Sequence, residues 1–273
     1  MPLSFWKMQG LGNDFIVLDS RKTRFVPRSR QVQTWCDRHF GIGADGILVL
    51  LTSRRADFRM RIFNPDGSEA EMCGNGIICL ARFIHMRKIS RKKKLKIETS
   101  AGIISPEIRG RSIRVDMGKP VFAPGKIPCT LPAPALSRPL EVEGNRFEIT
   151  VLSMGNPHCV IPVDLVDGVP LEHIGPLIEH HRFFPQGVNV EFVQVLDRAH
   201  LKVRVWERGA GETLACGTGA SAAAVACTRV GLSDRKVAVS LPGGVLKIEW
   251  RKGTDIVFMT GYCKMVFQGK IKP

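Results

Sequence analysis

The sequence predicts an α+β protein of two similar halves, with strands surrounding one long helix in each. Three observations predict it. The tetrapeptides Cys73-Gly74-Asn75-Gly76 and Cys216-Gly217-Thr218-Gly219 stand 143 positions apart, and other matches share that offset. Each tetrapeptide opens an apolar run too long and too small-sided for a strand, "IICLARFIHM" and "ASAAAVACTRV". The rest of the chain is mostly short segments rich in β-branched residues and bounded by Gly, Pro or Asp.

The common offset pairs Glu69 with Glu212, Arg61–Phe63 with Arg204–Trp206, and Asn64 with Glu207. Further upstream it pairs Gly12-Asn13 with Gly155-Asn156 and Val17 with Val160, and Met117-Gly118 falls within one residue of matching Met259-Thr260-Gly261. One offset over more than a hundred residues indicates an internal duplication. The Pro- and Gly-rich stretch "GKPVFAPGKIP" followed by "LPAPALSRP" reads as the join. The halves divide as residues 1–118, to which the tail 263–273 can be added, and 119–262.

Strands are predicted at "FIVLD", "GILVL", "FRMRIFN", "LKIETSAG" and "IRVDMG" in the first half. In the second they are "HCVIPV", "VNVEFVQV", "LKVRVWE", "VAVSL", "VLKIEW" and "DIVFMTG". Helices are predicted over Gly76–Met86 and Gly219–Val230. The second is almost entirely Ala, Val, Cys and Thr. A helix with no wet face has to be enclosed by the sheet of its own domain.

Composition narrows the class. With 273 residues, 44% hydrophobic and 24% charged, the chain can bury a large core. It has no 18-residue apolar stretch to cross a membrane and no secretory leader pattern, which predicts a cytoplasmic protein. Eight cysteines without a C-x-x-C pair support neither a disulfide framework nor a zinc ribbon. Cys36, Cys79, Cys129, Cys159, Cys227 and Cys263 read as small buried hydrophobes. The seven histidines show no metal-ligand spacing, so no metal is predicted. The net charge of +15 is concentrated partly in "RKISRKKKLK", Arg87–Lys96. No aromatic or fold motif of a nucleic-acid module accompanies it, so the run reads as a solvated turn rather than a nucleic-acid surface.

The C-G-x-G elements carry the chemistry. A helix start leaves backbone N–H groups unpaired and carries the positive end of the macrodipole. Glycines there let an anion such as a carboxylate approach the backbone. The same field lowers the pKa of a nearby thiol. Two such cysteines, at equivalent places in two halves facing each other, form an acid/base pair. One takes a proton from a tetrahedral carbon while the other returns a proton to the opposite face, inverting the centre. A carboxylate held at the helix starts is stabilised as the adjacent carbon gains negative charge. Asn64-Pro65-Asp66-Gly67 reads as a turn that presents Asn64, and Glu69 and Glu212 as acids near a helix start.

The segments "GNDF", "FNPDGSEAEMCGNG", "MGNPHCV", "GVNVEF" and "ERGAGETLACGTG" resemble those of the diaminopimelate epimerase family, over nearly the whole chain from Lys7 to about Gly269. The resemblance implies two pseudo-symmetric α+β domains, each a strand-rich barrel around a central helix. It also implies PLP- and metal-independent conversion of LL-diaminopimelate to the meso form, in lysine and peptidoglycan precursor synthesis, by a homodimer without cofactors. On that footing Cys73 and Cys216 are the two bases. Gly74, Asn75, Gly217 and Thr218 bind the reacting carboxylate, and Asn13, Asn64, Asn156, Asn189, Glu207 and Arg208 hold the rest of the substrate. An Arg and amides suit the distal carboxylate, and an acid suits the distal ammonium. His158 is expected beside a catalytic cysteine, tuning its protonation. Some family members carry a substrate-contacting glutamine where this chain has Gly46. Two other readings stand beside this one: a related racemase for another amino acid, and a basic nucleic-acid-binding protein.

Overall fold

A computed structural model describes residues 2–132 and 134–272. The chain forms two compact units, Met1–Val115 with Thr260–Pro273, and Asp116–Met259.

In the first unit, β1 (Leu3–Gly10) and β2 (Asn13–Asp19) make an antiparallel hairpin. The turn between them places Leu11 and Gly12 at positive φ. Next come β3 (Gly46–Leu51), β4 (Phe58–Phe63), β5 (Glu69–Ala70), β6 (Ile97–Thr99) and β7 (Gly102–Ile104). The hairpin of β8 (Glu107–Arg109) and β9 (Ser112–Asp116) follows. One sheet runs β1-β2-β3-β4-β6-β7, with β5 beside β4 and the C-terminal strand Lys264–Ile271 outside β1. Strand alternation divides its residues between two helices. Ile47 and Val49 join the core that includes Val32, Trp35 and Cys36 of α1 (Ser29–Cys36). Leu48, between them, packs against Gly76 of α2 (Gly74–Met86). The expected first-half helix is therefore present, two residues longer at its start, and α1 is an element the apolar periodicity did not indicate.

The second unit contains β10 (Arg138–Val142), β11 (Asn145–Ser153), β12 (Pro157–Pro162), β13 (Asn189–Asp197), β14 (His200–Glu207), β15 (Gly211–Thr213), β16 (Lys236–Leu241), β17 (Gly244–Trp250) and the start of β18 (Val257–Tyr262), which the unit boundary after Met259 divides. Its strand order is β10-β11-β12-β13-β14-β16-β17-β18, with β15 beside β14. Cys159, Ile161, Val190 and Phe192 form a core with Leu171, Ile174 and Ile178 of α3 (Leu171–Glu179), another helix not expected from the sequence. The residues between them, among them His158, Val160 and Glu191, lie on the sheet's other face. That face carries α4 (Gly217–Arg229), which touches β11, β12, β13, β14, β16 and β17.

The sequence of α4 explains how strands can surround it. Gly217 and every residue from Gly219 to Cys227 are buried, and none has a side chain larger than Val. The Ser221 hydroxyl, fully buried, donates to the Gly217 carbonyl (2.8 Å), so this side chain is paired within the helix. All eight cysteines are free thiols; Cys129 and Cys263, expected in the core, are half-buried. Arg87–Lys96 forms the connection from α2 to β6, with Lys92 on Asp57 (2.5 Å) and only Leu95 of the run fully buried. No helix among the described residues is long and apolar enough to cross a membrane.

A larger side chain in α4 should be poorly tolerated. Ala223→Leu is expected to destabilise the protein by about 1–3 kcal/mol through overpacking, read as a fall in the thermal midpoint. Thr228→Ala, at the half-buried end of the helix, should cost less.

Candidate functional site

Each cysteine of the duplicated motif is the N-cap of its unit's buried helix. Cys73 precedes α2 at φ −140°, ψ 123°, and Cys216 precedes α4 at φ −114°, ψ 116°. In both, the sulfur accepts the backbone N–H three residues on, from Gly76 (3.4 Å) and Gly219 (3.4 Å). The cysteine carbonyl takes the next one, from Ile77 and Ala220, each at 2.9 Å. A thiol thus fills the place usually held by a Ser, Thr, Asp or Asn oxygen. The helix-start residues Gly74, Asn75 and Gly217 are buried, and Thr218 is half-buried.

The strand before each helix is anchored in the same way. Arg61 donates to both oxygens of Glu69 (2.8 and 2.6 Å), and Arg204 to both of Glu212 (2.8 and 2.9 Å). These acids, read from sequence as neighbours of a helix start, are committed to bidentate pairs that fasten β5 and β15 to β4 and β14.

In the first unit the Cys73 S–H lies 3.7 Å from Asn13 Oδ1. The Asn13 amide donates to Asp45 (3.1 Å), and this fixes which end of the amide faces the sulfur. Asp45 belongs to a charged cluster: Arg38 binds Asp45 (2.6 Å) and Asp14 (2.8 Å), and Lys7 binds Asp14 (2.6 Å). Burial works against the Asp14 charge, but Arg38 and Lys7 outweigh it and hold the carboxyl down at about 2. Asn64 sits in the expected turn, donating to Ser68 Oγ (3.0 Å), and is exposed. At Gly46 a Cβ would lie 2.7 Å from the Phe63 carbonyl oxygen, so a side chain there requires β4 to move.

In the second unit Thr218 Oγ1 lies 3.4 Å from the Cys216 sulfur and accepts from the Asn156 amide (3.4 Å). His158, expected beside a catalytic cysteine, binds Asn156 Oδ1 through Nε2 (2.9 Å) and Glu191 Oε1 through Nδ1 (2.6 Å). Its hydrogen-bonded path to Cys216 therefore runs through Asn156 and Thr218. Asn189 donates to the Pro157 carbonyl (2.8 Å) and accepts the Arg208 N–H (3.0 Å). Glu207 accepts from Thr213 Oγ1 (2.6 Å), and the Arg208 guanidinium donates to the Gln186 carbonyl (3.2 Å). These partners tie Asn156 to Thr218 and Asn189 to Arg208 within the unit.

Three residues of these networks escaped sequence reading. Glu179, at the end of α3, accepts from Trp206 Nε1 (2.7 Å) and Gly209 N–H (2.9 Å), and so braces the strand end that carries Glu207 and Arg208. Asp45 orients Asn13. Glu191 is fully buried on β13, and its Oε2 has no partner. A charged residue alternating with Val and Phe in "VNVEFV" is the one signal that could have flagged it.

The expected lowering of the thiol pKa at a helix mouth is corrected at Cys216. Burial pushes this thiol well above its ordinary value, and the carboxylates of Glu207 and Glu191 push it the same way. The Thr218 hydroxyl and the Gly219 N–H pull it down by less. Removal from water disfavours a thiolate more than one helix turn favours it. Among the described residues, no group of three or more His, Cys, Asp or Glu could hold a metal ion.

Comparison with known proteins gives concordant results. The sequence profile described as Diaminopimelate epimerase matches residues 5–123 and 150–266. Diaminopimelate epimerase 1 of a Nostoc species is 52% identical over 280 residues, spanning 99% of this chain and all of that protein. Diaminopimelate epimerase of Stutzerimonas stutzeri is 50% identical over 275 residues, spanning the whole of both. The fold matches a phenazine biosynthesis protein of the PhzF family from Bacillus anthracis, with TM-score 0.71, 18% identity and full coverage of both chains. It also matches a hydroxyproline epimerase from Agrobacterium vitis (TM-score 0.69, 15% identity, 99% of this chain and 91% of the other).

The charged cluster around Asn13 generates a pH prediction. Asp14 has its folded pKa below the unfolded value of about 3.9, so its contribution is complete above that value and is lost as pH falls towards 2. Asp14→Asn should cost about 2 kcal/mol at pH 7, and the difference from the parent should shrink between pH 5 and pH 2 in denaturant titrations.

Proposed function

The chain belongs to the diaminopimelate epimerase family, and from that membership we propose that it converts LL-2,6-diaminopimelate to the meso form, with Cys73 and Cys216 as the two bases. The observation that carries the assignment of the thiols is their equivalence: each caps the buried helix of its unit through the same N–H, three residues on.

The reaction breaks the C–H bond at one α-carbon and remakes it on the opposite face. One cysteine acts as thiolate and takes the proton; the other acts as thiol and gives one. After each turnover the two have exchanged states. The α-proton is weakly acidic, and the carbanion is stabilised through the adjacent carboxylate. Backbone N–H groups at a glycine-containing helix start suit that carboxylate without any reorganisation as charge develops. In this reading Gly74, Asn75, Gly217 and Thr218 hold the reacting end, and Asn13, Asn64, Asn156, Asn189, Glu207 and Arg208 hold the remainder. Arg208 suits the distal carboxylate and Glu207 the distal ammonium. His158 supports the Cys216 side through Asn156 and Thr218. No step calls on PLP or a metal. The protein is read as a cytoplasmic homodimer, for which sedimentation should give twice the 30.2 kDa chain mass.

The decisive measurement is epimerisation with hydrogen exchange in deuterated water, without added cofactor. LL-diaminopimelate should acquire α-deuterium and yield the meso form, while proline, histidine and glutamate should not react. Cys73→Ala or Cys216→Ala alone should lower epimerisation by at least about a thousandfold, the scale expected when an acid/base group is removed. Near-normal turnover in either variant would overturn the two-base assignment.

A further inference from the structure

In the segment "VWERGAG", Glu207 and Arg208 stand where β14 turns back into β15, and a residue from a different element fixes the chain on either side of them. Glu179, the last residue of α3, is buried with 5% of its surface exposed. Its Oε2 accepts the Trp206 indole N–H (2.7 Å), and its Oε1 accepts the Gly209 backbone N–H (2.9 Å). The two donors bracket Glu207 and Arg208. Strand register sets Trp206 opposite Val190, and both belong to the core on the α3 face of the sheet. Alternation therefore sends Glu207 to the face that carries α4, where it acts on the Cys216 thiol.

Close packing supports this clasp. A Cβ on Gly175 of α3 would meet the Trp206 ring at 2.6 Å, and one on Gly211 of β15 would meet it at 3.6 Å. The Glu207 carbonyl accepts the Ala210 N–H (3.0 Å), closing a turn in which Gly209 has φ 73°. That closure does not use the Gly209 N–H, which Glu179 takes. Between the two anchors, Asn189 Oδ1 holds the Arg208 N–H (3.0 Å). The Arg208 stem passes over Gly187, where a Cβ would stand 3.1 Å from Arg208 Cδ and 3.6 Å from Glu179 Cγ. The guanidinium donates to the Gln186 carbonyl (3.2 Å), a neutral acceptor that leaves its positive charge in place. An acid is costly to bury, and what this one contributes is a two-point hold on the turn.

We infer that Glu179 is a positioning residue for substrate preference, which sets Glu207 and Arg208 to receive a second amino-acid end by holding Trp206 and Gly209. Glu207 as partner of the distal ammonium and Arg208 as partner of the distal carboxylate belong to the epimerase reading above, on which this role of Glu179 rests. The ammonium and carboxylate of an amino acid sit on one carbon, so they are matched only by an acid and a guanidinium held at a fixed separation. Glu179 holds that separation from outside the pair. The proton transfer is served by the cysteines at the helix starts, so loss of Glu179 falls mainly on binding of the distant end.

The test is the concentration dependence of LL-diaminopimelate epimerisation in the parent, Glu179→Gln and Trp206→Phe, with the thermal midpoint of each. Glu179→Gln keeps one acceptor oxygen and gives up one of the two donors; Trp206→Phe keeps a ring and removes the indole N–H. KM should rise about tenfold in Glu179→Gln and by a smaller factor in Trp206→Phe, with kcat falling by less than KM rises. A loosened fold acts differently: it lowers the number of active molecules, so kcat falls and KM stays. An unchanged KM in Glu179→Gln overturns the proposal, as does a fall in kcat larger than the rise in KM. If Glu179→Gln fails to fold, Trp206→Phe decides by the same two criteria. A parent that leaves LL-diaminopimelate unchanged overturns the epimerase reading and this role with it; an active parent whose variant keeps its KM overturns this role alone.

Discussion

The structure depends on burying most of a helix while capping its first turn with a cysteine. A helix enclosed on all sides by strands satisfies its interior backbone, but its first N–H groups still need acceptors. In both units a cysteine meets that need with its sulfur, and a glycine three residues on lets the strand behind approach the same turn. Much else follows from it. The helix residues have to be small where the sheet is closest, the preceding strand has to be fastened by an Arg–Glu pair, and an asparagine from the unit's early strands stands next to the thiol or one hydroxyl away from it. The chemistry assigned to the cysteines draws on the same construction, a sulfur set at the positively polarised end of a helix.

The two units solve the same backbone problem with different surroundings. The Arg61–Glu69 and Arg204–Glu212 pairs are the same device at the same offset, since moving either would release the strand that delivers the cysteine. The asparagines are also retained, but they are oriented differently. Asn13 is set by Asp45 and shows oxygen towards the sulfur, while Asn156 is set by His158 and donates to Thr218. What the duplication kept is the cysteine cap and the Arg–Glu pair; what it changed is the group that orients each asparagine.

Much of this was legible in the sequence for a physical reason. A repeat at constant offset, an apolar helix and a C-G-x-G start are local signals, and they located both buried helices and both thiols. Long apolar alternations such as "VNVEFVQV" and "LKVRVWE" became strands as read. The elements that were missed owe their existence to partners distant in sequence. The helix Ser29–Cys36 is polar over most of its length and buries only Val32, Trp35 and Cys36. Leu171–Glu179 contains a proline and begins after another. Glu191 and Glu179 look like surface acids until the elements that bury them are in place, and Asp45 until Asn13 and Arg38 are brought to it. The pKa of Cys216 failed for the same reason: the helix field is a local property, but burial and the approach of Glu207 and Glu191 belong to the assembled unit.

The C-terminal strand bears on how the protein can be made. Lys264–Ile271 lies outside β1, paired along its length from Leu3 to Gln9. The first strand of the chain therefore receives its outer neighbour only when the last residues have left the ribosome. The second unit is continuous from Asp116 to Met259 and has its helix and strands together before that moment. The usual order of synthesis, with the amino-terminal domain completed first, is inverted here. The half that starts first finishes last, and until then one long edge of its sheet needs protection from pairing with other chains.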